Sequence, residues 1–97
     1  MNKQEIIKVG EILSRDLDVE STKYHVKSDQ YDILGFESAE ILRISKSIES
    51  DQVDKFMLSQ STLLSSWGTM LKDDVPNLML RVKQYRKLCE EYLVKNS

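Results

Sequence analysis

Asp51-Gln52-Val53-Asp54-Lys55-Phe56-Met57-Leu58-Ser59-Gln60-Ser61-Thr62-Leu63-Leu64-Ser65-Ser66-Trp67-Gly68-Thr69-Met70-Leu71-Lys72 is the stretch whose reading decides the fold. Val53, Gln60 and Trp67 stand seven apart, as do Phe56, Leu63 and Met70, and Met57, Leu64 and Leu71. A seven-residue period returns a side chain to nearly the same face of an α-helix, so three adjacent columns make one broad apolar front. The spacing predicts a helix over 51–72, with Ser50 or Asp51 capping its start. Its back holds Ser61, Thr62, Ser65, Ser66, Gly68 and Thr69, none of them charged, where a solvated helix normally carries Lys and Glu. Ser61, Ser65 and Gly68 form a track of small residues that lets another backbone approach. Gln60, polar within the apolar front, is of the kind that sets register at a cost in stability.

Downstream, Lys72-Asp73-Asp74-Val75-Pro76 reads as a stop and a restart, with Asp74 as N-cap and Pro76 in the first turn, where a missing N–H costs little. A last helix is predicted over about 75–95, with Leu78, Val82, Tyr85, Cys89 and Tyr92 on one face and Leu88 and Leu93 flanking. So short a joint predicts an antiparallel hairpin of 51–72 with 75–95. Upstream, Ile41, Ile44 and Ile48 predict a helix over 38–49 capped by Ser38, with Leu42 widening the stripe. Residues 18–36 carry no single period. Tyr24 to Lys27 alternates, Ser28-Asp29-Gln30 suggests a turn, and a hairpin is an option, but a lone hairpin is barely stable in water. An irregular connection or a short helix over the bundle is the preferred reading. Ile6, Val9, Leu13 and Leu17, with Ile12 beside them, predict a first helix over 3–17, interrupted by Gly10. The expected fold is therefore all-α: one domain over 1–97, a small bundle of three to four helices ending in the long hairpin.

Composition agrees. The chain has 97 residues, 40% hydrophobic and 31% charged, which suits a globular domain and not a disordered one. A domain of this size is typically stable by about 5–10 kcal/mol alone, and small helical chains often gain more by pairing. The net charge of −2 gives no general attraction to nucleic acid or membrane. The single cysteine, Cys89, excludes an intramolecular disulfide and fits a reducing compartment. The N-terminal run is broken by Lys8, Gly10 and Glu11, so it lacks a signal-peptide core, and no later run is long enough to span a bilayer. Cytosol or nucleus is the expected location.

The chemistry-bearing residues do not assemble into a site. Asp16-x-Asp18-x-Glu20 opens like a calcium loop, but Ser21 and Lys27 stand where that loop needs glycine and glutamate. His25 is the only histidine, and a zinc site combines several ligands. A His25–Cys89 catalytic pair competes with the reading of Cys89 as an inert core residue on an apolar stripe. The three glycines are scattered, so no phosphate loop is present. Lys83, Arg86 and Lys87 could contact phosphates, but Arg86–Glu90 and Lys87–Glu91 have the spacing of intrahelical ion pairs. No cofactor, metal or small-molecule substrate is implied.

Two functional readings remain. The first is a non-enzymatic interaction module (adaptor, regulator or complex subunit) that packs a helix against another protein or its own copy. Its candidate interface is Phe56, Met57, Gln60, Ser61, Leu64, Ser65, Trp67, Met70 and Leu71. The alternative rests on Gln52 to Phe56, Leu58 to Leu63 and Ser66-Trp67, which resemble a repressor-type helix-turn-helix. The resemblance implies a DNA-binding transcriptional regulator, with Ser59 capping a recognition helix and Trp67 closing the core. It covers about seventeen residues near 52–67. Met57 stands at the expected turn glycine, one extra residue precedes Trp67, and the seven-residue columns run straight through the proposed turn.

Overall fold

A computed structural model describes residues 2–54, 71 and 73–95. Among them lie three helices and no strand: α1, Lys3–Ser21; α2, Asp29–Glu49; and α3, Pro76–Lys95. The radius of gyration is 13.0 Å, close to the ~13 Å expected of a packed chain of about 100 residues.

Each helix begins where the local chemistry satisfies its first N–H groups. Asn2 caps α1, its side chain accepting the Glu5 N–H at 2.9 Å. The apolar spacing carries α1 past the expected end at 17 to Ser21. There the Thr22, Lys23 and Tyr24 N–H groups bond back three residues, tightening the last turn.

The chain reverses over residues 22–28. Lys27 N–H donates to His25 Nδ1 at 3.0 Å, and Ser28 Oγ donates to the His25 carbonyl at 2.6 Å. Ser28 then caps α2 by accepting the Tyr31 N–H at 3.2 Å, and Asp29 and Asp32 favour the positive end of the helix dipole. This corrects the expectation of an irregular connection or hairpin over 18–36 and of a helix starting at Ser38. The competing cap at Ser28 lies ten residues earlier, so Ile33 and Leu34 join the Ile41, Ile44 and Ile48 stripe.

The end of α2 corrects a second boundary. Asp51 N–H bonds to the Ile48 carbonyl at 3.1 Å and Gln52 N–H to the Ser47 carbonyl at 2.7 Å, the paired bonds of a Schellman motif. Asp51 takes the left-handed position with φ 57°. Ser50 and Asp51 thus terminate α2; they do not start a helix at 51. Gln52, Val53 and Asp54 are not helical, and Leu71 lies in a turn. The remainder of the expected 51–72 helix, and with it the hairpin and the helix-turn-helix segment, falls largely outside the described residues.

Pro76 opens α3 as its first helical residue, and the Val75 carbonyl accepts the Met79 N–H at 3.0 Å. Val75 therefore occupies the cap position expected of Asp74, because its apolar side chain is buried in the core. The expected stripe of α3 holds. Val82, Tyr85 and Cys89 are buried, joined by Met79, while Leu78, Leu88, Tyr92 and Leu93 pack partly against them.

Cross-helix contacts set the directions. Lys3 meets Asp51, and Ser14 meets Ser38, so α1 and α2 run antiparallel. Asp16 meets Arg81 while Tyr85 reaches Gly10, so α3 runs antiparallel to α1 and parallel to α2. The chain leaves α2 beside the start of α1 and re-enters α3 near Glu20, at the other end.

Candidate functional site

The polar groups that the fold gathers are mostly inside it. Gly10, Ser45 and Tyr85 meet where the three helices converge. Ser45 Oγ and the Tyr85 hydroxyl share a hydrogen bond of 2.6 Å, both buried. A Cβ on Gly10 would lie 3.0 Å from the Tyr85 hydroxyl oxygen and would overlap Ser45 Oγ. Glycine at position 10 is thus a packing requirement: it lets α1 approach the hydroxyl pair.

One turn further, Ser14 Oγ donates to the Ser38 carbonyl at 3.2 Å and Ser38 Oγ to the Ser14 carbonyl at 3.0 Å, with the two oxygens 2.8 Å apart. This reciprocal link satisfies hydroxyls that burial would otherwise leave costly.

Glu37 sits beside that link, 2% exposed, and its Oε2 has no hydrogen-bond partner. Burial pushes its carboxyl up to about 7, and the Glu40 charge adds to the effect. Glu40 itself is engaged by Arg43, whose Nε donates to it at 3.1 Å.

At the open end of α2, Asp51 Oδ1 accepts from Lys3 Nζ at 3.0 Å and from the Tyr92 hydroxyl at 3.3 Å. One exposed carboxylate ties together the beginning of α1, the end of α2 and the last turns of α3. The Lys3 ammonium holds it below the ordinary range.

Several expected pairings can now be placed. Asp16 and Asp18 lie on α1, and Asp16 pairs with Arg81 at 2.8 Å, so no calcium loop forms there. His25 is exposed in the α1–α2 turn, whereas Cys89 is buried beyond the level of Gly10. The rise of α1 from Gly10 to Thr22 alone separates those levels by about 18 Å, so the two do not meet. Burial pushes the Cys89 thiol up to about 11 and raises the Tyr85 hydroxyl as well; both act as packing groups. Arg86 pairs with Glu90 at 3.1 Å as the spacing predicts. Lys87 and Glu91 are both exposed and make no ion pair among the described residues. Among those residues no three His, Cys, Asp or Glu side chains cluster closely enough for a metal ion, and no helix is long and apolar enough to cross a membrane.

An open cavity of about 250 Å³ lies where α1 ends and α3 begins, lined by Glu20, Asp74, Val75, Pro76, Asn77 and Leu78. Glu20 is already paired with Lys23 at 2.8 Å, and the lining offers carboxylates but no nucleophile or cation.

Of the candidate interface, Leu71 is described; it is 2% exposed and belongs to this chain's own core. Phe56, Met57, Gln60, Ser61, Leu64, Ser65, Trp67 and Met70 lie outside the described residues. Sequence reasoning missed Glu37, Ser14 and Ser45. Glu37 had a signal: once α2 is extended back to Ser28, it falls on the stripe of Leu34, Ile41, Ile44 and Ile48. No family model, curated protein or solved structure matches the chain.

Proposed function

We propose that this chain is a non-enzymatic helical interaction module, an adaptor, regulator or complex subunit that packs a helix face against another protein or a second copy of itself. The observation that carries the reading is the apolar spacing of Phe56, Met57, Leu63, Leu64, Trp67 and Met70 within 56–70, backed by an uncharged small-residue face. A helix of that composition needs cover on most of its circumference to avoid a large exposed apolar patch. Leu71 and the half-buried Val53 serve the chain's own core. The partner surface therefore rests on Phe56, Met57, Gln60, Ser61, Leu64, Ser65, Trp67 and Met70.

The reading includes a helix within 55–70 that forms an antiparallel hairpin with α3 and completes a three- to four-helix bundle. The positions of Asp51 and Val75 support it. They stand level with Lys3 and Glu20, about 26 Å apart along α1, and a helix of sixteen residues rises about 24 Å.

The test is size-exclusion chromatography with light scattering on the full chain. The expected result is a mass at least twice 11.3 kDa, reduced in the Ser61→Glu/Ser65→Glu double variant with helicity retained. A double variant with the fold and mass of the wild type refutes this surface as the interface. A sequence-selective gel shift at a stated salt concentration would instead favour the helix-turn-helix regulator.

A further inference from the structure

We propose that Glu37 is a proton-operated latch: its carboxyl is protonated while α2 is docked, and loss of that proton loosens the middle of α2. The geometry carries this. Glu37 is 2% exposed on the buried face of α2, between Leu34 and Ile41, and its Oε2 meets no donor. An ionised carboxylate in that position would keep one oxygen, Oε2, away from water with no partner, which is costly. A neutral acid costs far less there.

Among the described residues, the surrounding charges do not rescue the ionised form. On its own helix Glu40 is the charge that acts on it, and the sign is repulsive. On α1, at the level fixed by the Ser14–Ser38 link, Asp16 is held by Arg81, while Arg15 and Asp18 are exposed. On α3, Arg81 is spent on that same pair, and Lys83 is exposed. None of these supplies a cation to Glu37.

The direction of the pH effect follows. The carboxyl is pushed from its ordinary 4.5 up to about 7 in the fold. Stability from the protonated form is complete below 4.5 and is lost as pH rises through 7. The ratio of folded to unfolded chain should fall roughly 70-fold between pH 5 and pH 8 from this group alone. The device would thus operate across the range where cellular pH varies.

Two measurements test it on the full chain. Denaturant unfolding from pH 5 to pH 8 should show that fall in the wild type and a flat profile in Glu37→Gln, which keeps the shape and removes the proton. Amide hydrogen exchange, corrected for intrinsic rate, should lose protection first around 34–41 in the wild type above pH 7. Glu40→Gln should move the transition to lower pH without abolishing it. Should Glu37→Gln not fold, carbon-detected NMR titration of the wild-type carboxyls decides: one carboxyl titrating near 7 supports the latch. Equal pH profiles in wild type and variant, uniform loss of protection over all three helices, or no carboxyl titrating above the ordinary range would overturn it.

Discussion

Replacing Gly10 with alanine adds one methyl group at the point where three helices meet. That methyl would sit 3.0 Å from the Tyr85 hydroxyl oxygen and 3.1 Å from its ring carbon Cζ, and would overlap Ser45 Oγ. Ser45 can escape by turning about χ1, but among the described residues it then leaves the Tyr85 hydroxyl with the weaker contacts to the Ile41 carbonyl, at 3.5 Å, and to the Cys89 thiol. Losing the buried hydrogen bond costs about 1–3 kcal/mol. Crowding a closely packed position costs about 1–3 kcal/mol more. Alanine returns about 1 kcal/mol in helix propensity over glycine. The net expectation is a loss of about 3 kcal/mol, or about 12–24 °C in Tm for a domain of this size. The decisive measurement is a double-mutant cycle with Ser45→Ala, read by chemical denaturation. Removing the Ser45 hydroxyl opens the space, so Gly10→Ala should cost about 2 kcal/mol less in that background. A Gly10→Ala chain as stable as wild type, or one whose cost is the same in both backgrounds, would refute the close approach and leave propensity in control.

Further outcomes follow from the same contacts. Ser14→Ala and Ser38→Ala should each cost about 1 kcal/mol, and the double variant less than their sum, because it removes both partners of the link; urea midpoints measure this. Asp51→Gly should melt above Asp51→Ala, since both lose the Lys3 and Tyr92 contacts but only glycine fits φ 57° without strain; the reverse order in thermal denaturation would count against the left-handed cap. Cys89 should resist a thiol reagent in the native state and react at the rate of unfolding, because burial pushes its thiol to about 11. From the sequence, Trp67→Ala should be among the most damaging single changes, at about 3–5 kcal/mol if the ring is buried; an unchanged denaturation midpoint would mark it as a surface anchor instead.

The sequence by itself determined the helical class, most of the α3 stripe and, in α1, the buried Ile6, Leu13 and Leu17, though Ile7 and not Val9 or Ile12 completes that core face. Those signals are local: side chains three and four residues apart share a helix face wherever the helix ends up. The start of α2 was less legible, because Ser28 and Ser38 are equally good caps by composition. Only the tertiary setting separates them, burying Ser38 against Ser14 and leaving Ser28 to close a turn with His25. Asp51 likewise looked like the start of the next helix, since a short acidic residue serves either end; the paired bonds to Ile48 and Ser47 decided for the end of α2. Gly10 read as a weakness in α1 until the structure brought Ser45 and Tyr85 to it from residues 35 and 75 positions away. Glu37 drew no reading from the sequence, because a carboxylate's cost depends on what surrounds it, and its surroundings exist only after the chain has folded back on itself.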